Sequence, residues 1–201
     1  MSLIILAGLL LRLKLVFEKA LWADEIFYFR VAYAYRFKEI LLVDHWIKDL
    51  PPLFPLFLKT WISLSLSILW IRLPGLLAYL ISSMLLVKIF NKLHWIGNLI
   101  IIAFFVFSPF FMYLNFWVTP YNFVLLFTLI QLYILSEFFQ GKFVKKEKLF
   151  VVLFGLINLF LFNSHYSSVY LFLSYPVFLL YLAIKDIKLA KTFFYSCLVS
   201  T

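Results

Sequence analysis

Residues 51–70 read PPLFPLFLKTWISLSLSILW, and the assignment of this run decides the architecture. It is apolar and long enough to cross about 30 Å of hydrocarbon as a helix, yet it opens on two prolines and carries Lys59. Whether it crosses or lies flat sets the side of every later loop. Comparable apolar runs occupy about 2–17, 72–90, 96–114, 120–138, 149–163 and 167–184, and another starts near 192.

These runs agree with the composition. The 201 residues are 66% hydrophobic and 22% aromatic, with a mean hydropathy of +1.05, whereas soluble domains are about half apolar. An all-α polytopic integral membrane protein is expected, and a soluble globular domain is excluded. The formal net charge of +9 would suggest nucleic acid in a soluble chain. Here the basic residues fall between apolar runs and read as topology signals, so no nucleic-acid partner is expected. The single cysteine, Cys197, excludes an intrachain disulfide, and no metal-ligand set is read. Residues 2–11 lack a preceding basic segment and a following cleavage site, so they read as a retained first span.

Half of the eighteen basic residues lie in three short clusters: Lys88 with Lys92; Lys142, Lys145, Lys146 and Lys148; Lys185, Lys188 and Lys191. Short loops rich in lysine stay cytoplasmic. With all three inside, the linkers near 114–120 and 163–168, which lack Lys and Arg, are outside, and 72–90 runs inward. A first span leaving the cytoplasm then forces 51–70 to be an external helix on the membrane surface, with Lys59 reaching the headgroups. The expected layout is a single module of six to seven spans, with an external loop over 18–71 and further spans over 72–201. That loop holds Glu18, Asp24, Glu25, Glu39, Asp44 and Asp49, six of the nine acidic residues. Arg12 and Lys14, near the outer end of the first span, run against this orientation. The run starting near 192 is too short to span, so the chain reads as the N-terminal part of something longer.

Within the loop, LWADEIFYF (21–29) places Asp24 and Glu25 among apolar and aromatic residues. If 25–37 is helical, Asp24 is placed to cap it, and Glu25 complements the helix dipole. Alternatively the pair does chemistry: Phe27, Tyr28, Val31 and Tyr35 share a face with Asp24. A carboxylate desolvated by such rings is suited to take a proton from a hydroxyl.

The stretch LLLRLKLVFEKALWADEIFYFRVAYA (9–34) resembles the start of the GT-C class of membrane glycosyltransferases, in the branch of protein O-mannosyltransferases and the lipid A aminoarabinose transferase. There a first span ending in Arg-Leu precedes an Asp-Glu pair. DLPPLFPLFLKTW (49–61), IRLPGLLAYLISSMLLVKIFNKL (71–93) and FSPFFMYLNFWVTPYNFVLLF (107–127) are similar to further segments of that family, in the same order. The resemblance implies transfer of a sugar from a polyprenyl-phosphate donor to an acceptor hydroxyl on a protein, lipid or glycan, at the outer face of the cell membrane. Asp24 would be the general base. Glu25 would orient the site or help hold a divalent cation, with no cofactor required. A cation at the leaving phosphate is sought in Arg72 or in Arg30, Arg36, Lys48 or Lys59, arginine being favoured for its two-pronged fit. Tyr28 and Tyr121 are expected to line the substrate site, and His165 with Tyr166, in NSHYSSVYL (163–171), to contact sugar or phosphate.

Two departures stand out. Thr119 occupies the place of the family's Arg before Pro-Tyr, and Leu50 that of its His before Pro-Pro, with His45 too far upstream to replace it. They keep open a second reading: a non-catalytic relative, flippase-like or transporter-like, on the same scaffold.

Overall fold

The computed structural model describes residues 1–42, 51–91, 93–140, 142, 146–185 and 187–198. Among these the chain is entirely helical: α1 (Ser2–Glu18), α2 (Ala23–Ala34), α3 (Phe37–Leu42), α4 (Leu53–Ile62), α5 (Ile68–Ile89), α6 (Trp95–Phe107), α7 (Pro109–Phe116), α8 (Tyr121–Phe139), α9 (Glu147–Ser164), α10 (Val169–Lys185) and α11 (Ile187–Leu198), with a short 3-10 turn, Tyr166–Ser168, before α10. Four segments, Ile68–Ile89, Tyr121–Phe139, Glu147–Ser164 and Tyr166–Ile184, are long and apolar enough to cross a membrane, and the α6–α7 pair makes a fifth if counted as one bent element. This is fewer than the six to seven expected.

Each shortfall has a local cause. The run at 96–114 is broken at Ser108, where α6 and α7 meet at 59°. Pro109 drives the preceding residue out of helical space, and Ser108 is extended (φ −61°, ψ 127°). The helix α1 has 17 residues, about 26 Å at 1.5 Å per residue. The last run overlaps α11, which starts at Ile187 within the expected basic loop, covers Ile187–Leu198 and packs on α9 and α10.

The deciding stretch, 51–70, does not form one helix. It gives the short α4 and then, after Ser63, the first turn of α5, which starts four residues ahead of the expected boundary. Ser67 caps α5 by accepting from the Trp70 N–H at 3.3 Å. The turn is closed by two stacked indoles, Trp61 and Trp70, 4.5 Å apart. Trp61 Nε1 donates to the Trp70 carbonyl at 2.7 Å and Trp70 Nε1 to the Trp61 carbonyl at 2.9 Å. The Trp70 carbonyl has no helical N–H to accept from, because the residue four on is Pro74, and the Trp61 carbonyl lies in the last turn of α4. Lys59, expected at the headgroups, donates to the Ala32 carbonyl at 3.1 Å, in the last turn of α2.

The segment before α5 has its own core, in which Tyr28 and Ala32 of α2 pack with Phe54, Leu58 and Ile62 of α4, Ile71 and Val118. Behind it, α5 packs on α1, α7 and α8, and α8 on α9. Three helices are joined by a closed set of hydrogen bonds between apolar surfaces: Gln131 of α8 donates to Asn158 of α9 at 2.6 Å and to the Tyr175 hydroxyl of α10, which donates to Asn158 at 2.6 Å. The bundle has two chemically distinct ends. One gathers the α1–α2 turn, the start of α5, the α7–α8 joint and the end of α9; the other carries Lys88, Lys142 and Lys146.

Gly75 marks the closest approach of α5 to the α7–α8 joint. A Cβ there would lie 2.8 Å from the Asn115 carbonyl oxygen and 2.9 Å from Asn122 Nδ2. Backbone cannot yield as a side-chain tip does, so Gly75→Ala is expected to cost about 1–3 kcal/mol through overpacking. Gly97, whose nearest neighbour would be Leu93 Cβ at 3.8 Å, is the control: Ala there is expected to be neutral or to stabilise by up to about 1 kcal/mol through helix propensity. Thermal melts of the two variants in detergent check the contrast.

Candidate functional site

The Asp-Glu pair divides into two roles. The helix α2 starts at Ala23 with Trp22 as its N-cap, correcting the expectation that Asp24 caps a helix over 25–37. Capping falls instead to Glu25, at the third helical position, whose Oε2 accepts from the Trp22 N–H at 2.8 Å. The helix begins where it does because a carboxylate three residues on satisfies its first free N–H.

Glu25 does more than cap. It is fully buried and paired with Arg72, also fully buried, through Nε to Oε1 at 3.0 Å and Nη2 to Oε2 at 2.7 Å. Its Oε1 also accepts from the Val118 N–H at 3.0 Å. Arg72 spends its other donors on the last carbonyls of α1 and the turn after it: Nη1 on Val16 (3.0 Å) and Lys19 (2.9 Å), Nη2 on Ala20 (3.0 Å). Its guanidinium carbon lies 5.1 Å from the centroid of the buried Phe116 ring. All five N–H donors of a guanidinium are thus engaged. Arg72, sought as a phosphate contact, has no donor left for one in this arrangement. The charges suit their places, a cation at the negative end of α1 and an anion at the positive end of α2.

With Glu25 held inward, Asp24 points out. It is exposed, in contrast to the desolvated carboxylate expected, and makes no hydrogen bond or ion pair among the described residues. One turn on is Tyr28, buried and packed edge-on against Phe54 at 5.2 Å. Burial first, and then the nearby Tyr121 and Asp24, push the Tyr28 phenol above its ordinary value, so it remains a hydroxyl donor at neutral pH. Tyr121, at the first position of α8, packs 4.8 Å from the His165 ring at the end of α9. Four of the expected site residues, Asp24, Tyr28, Tyr121 and His165, thus come together from three helices.

The state of His165 follows from its contacts. Its Nδ1 accepts from the Ser167 backbone N–H at 3.0 Å and lies 2.8 Å from the Ser167 hydroxyl. A nitrogen that accepts from an N–H carries no proton, so the neutral ring holds its hydrogen on Nε2. Burial lowers the His165 pKa. Beneath this group a slot of about 160 Å³ opens, lined by Phe54, Phe57, Phe123, Phe127 and Phe160 with Ser164 at one edge.

The remaining candidates are dispersed. Arg30 and Arg36 are exposed on and just past α2, with no acid paired to either side chain among the described residues. Tyr166 is 46% exposed in the turn after His165. Lys48, His45, Asp44, Asp49 and Leu50 lie outside the described residues. Thr119 is fully buried, its hydroxyl making no hydrogen bond among the described residues, and so are the side-chain oxygens of Asn115 and Asn122 beside it in sequence. Arg12, which ran against the topology, is fully buried; it donates to the Gly8 and Val106 carbonyls at 3.1 Å each and sits 3.8 Å over the Tyr79 ring. No group of three or more His, Cys, Asp or Glu side chains suited to a metal ion occurs among the described residues.

No protein-family model matches the chain, and neither a curated protein nor a solved structure matches it.

Replacing one partner of the buried pair strands the other charge, so Glu25→Gln or Arg72→Leu is expected to lose about 3–5 kcal/mol of stability. Asp24→Asn, next door but exposed, is expected within about 0.5 kcal/mol of wild type. Chemical or thermal unfolding in detergent separates the two cases. For His165, a lowered pKa means the fold holds the neutral ring. Its contribution to stability is complete above the ordinary pKa of about 6.5 and is lost as pH falls through the lower folded value. A ¹⁵N-histidine NMR titration should place its midpoint below 6.5, with Nε2 as the protonated nitrogen at neutral pH.

Proposed function

We propose that the chain is a membrane glycosyltransferase that moves a sugar from a polyprenyl-phosphate donor to an acceptor hydroxyl at the extracytoplasmic face, with Asp24 as general base. The observation carrying this reading is the gathering of an unpaired carboxylate, two tyrosines and a neutral histidine at one bundle end, above a phenylalanine-lined slot. Read as short cytoplasmic loops, the lysine clusters at the other end favour an outside position for Asp24, against the exposed Lys19, Arg30 and Arg36 on its own side. The order of sequence segments shared with the GT-C class supports the same assignment.

In this reading the acceptor hydroxyl loses its proton to Asp24 as its oxygen attacks the anomeric carbon. The bond from that carbon to the phosphate oxygen breaks, and its electron pair leaves with the lipid phosphate. Substrate supplies the desolvation that an exposed Asp24 lacks alone. Tyr28, kept protonated, and His165 Nε2–H are donors toward sugar or phosphate oxygens, and donors fixed in advance stabilise developing charge. Because Arg72 is committed to Glu25 and to α1, it does not supply the phosphate's counter-charge in this arrangement. The slot takes the first isoprene units of the donor.

The non-catalytic reading has its own support, in the engaged Arg72 and in the buried Thr119 at the place of the family's Arg. The experiment separating them is transfer from radiolabelled polyprenyl-phosphate sugars in vesicles containing the chain. Asp24→Asn is expected to abolish transfer while melting like wild type. Transfer at the wild-type rate by that variant would exclude the general-base role.

A further inference from the structure

The α1–α2 turn borders a second opening. A cleft of about 480 Å³ is bounded by Lys19 and Trp22 from the turn and by Tyr113, Phe116 and Trp117 from α7 and its end. Its walls are unlike the greasy slot under Tyr28. Trp22 and Trp117 stand nearly parallel, 5° apart in plane with centroids at 5.7 Å, and Tyr113 packs on Trp117 at 5.5 Å. Trp22 remains 56% exposed although it anchors the start of α2, and Tyr113 is 40% exposed. Lys19 at the rim is exposed and unpaired among the described residues.

We propose that this cleft binds a carbohydrate, and that the ring it holds belongs to the acceptor. A pyranose presents one face of C–H groups and an edge of hydroxyls. The negative face of an indole attracts such C–H groups much as it attracts the positive edge of another ring, and Trp22 offers its free face to the opening. The Lys19 ammonium and the Tyr113 hydroxyl supply polar contacts for the hydroxyl edge, a few placed polar groups in a mostly aromatic cleft of ligand size. The backbone keeps Trp22 rigid: its N–H is held by Glu25, so binding orders little that is not already ordered.

Position gives the cleft its role. Trp22 is the N-cap of α2 and Asp24 its second residue, so the cleft opens at the same helix end that carries the free carboxylate. The acceptor role rests on the transferase reading above; the carbohydrate site stands without it.

The test is saturation-transfer NMR on the full chain in neutral phosphatidylcholine nanodiscs, irradiating aromatic protons. The probes are methyl glycosides of glucose, mannose, galactose and N-acetylglucosamine, with the open-chain polyol sorbitol as control. At least one glycoside is expected to show saturable transfer through its C–H face, and sorbitol none. Trp22→Ala should weaken binding about tenfold, the scale of one aromatic contact, Trp22→Phe should recover part of it, and Lys19→Ala should weaken it without abolishing it. The backbone pairing of residue 22 with Glu25 survives the substitution, so the Trp22→Ala variant should still melt cooperatively, lowered by no more than the lost stack on Trp117 accounts for. The proposal is overturned if no glycoside saturates, if sorbitol responds equally, if Trp22→Ala binds like wild type, or if the only response is to anionic lipid added to the nanodisc. Saturable glycoside binding without sugar transfer by the wild-type chain would keep the cleft and remove the transferase. Transfer with no glycoside response would do the reverse.

Discussion

The buried pair between Glu25 and Arg72 ties together segments that are otherwise distant in sequence. Through it the last carbonyls of α1, the first N–H of α2, the start of α5 and the joint between α7 and α8 share one set of hydrogen bonds. Two opposite charges in an apolar interior are costly unless every donor and acceptor is used. Here all five guanidinium donors are used, and each carboxylate oxygen accepts both from Arg72 and from a backbone N–H. Helix ends leave carbonyls and N–H groups unsatisfied, and the pair takes up both kinds where the bundle converges. The geometry of the candidate site is therefore inherited from a structural element with no free valence of its own.

That arrangement explains why adjacent acidic residues behave so differently. Consecutive positions on a helix are about 100° apart, so the pinning of one side chain inward turns the next outward. Asp24 gains a fixed position without being consumed by the interactions that fix it. Tyr28 is held by Phe54 in the same way, and His165 by Ser167. A carboxylate, a phenol and an imidazole are thus presented by rigid helix ends, which hold groups more closely than loops do.

Some of this was legible in the sequence. Apolar run length gave the helical class and most helix positions, because an unbroken apolar stretch of that length can satisfy its own backbone in hydrocarbon only as a helix. Charge parity made the whole of 51–70 one surface helix, whereas only Leu53–Ile62 forms α4 and the stretch ends inside α5. The bend at Ser108 was also written in the sequence, in Pro109, but hydropathy averages over a kink. What was hidden was pairing. Glu25 was legible as a first-turn acid but not as a cap, because Trp22 at the N-cap lacks the usual side-chain signature. Its partner lies 47 residues away, and no local pattern announces such a distance. Arg12 misled for a related reason: a basic residue is informative about topology only while it faces water, and this one faces Tyr79 and two carbonyls.

The hydrogen-bonded trio of Gln131, Asn158 and Tyr175 has a different bearing. Of the long apolar segments, the one formed by the turn after His165 and most of α10 is the least enclosed, with 11% of its span buried against at least 33% for the others. A helix so thinly packed derives little of its azimuth from shape, since most of its circumference meets lipid whichever way it turns. A rotation by one residue would carry the Tyr175 hydroxyl away from two amides and leave it unpaired in an apolar surrounding, with Gln131 and Asn158 keeping only each other. The trio thus acts as a rotational address for α10. Drift in the sequence of its lipid-facing side is cheap, while position 175 is where the helix is told which way to face.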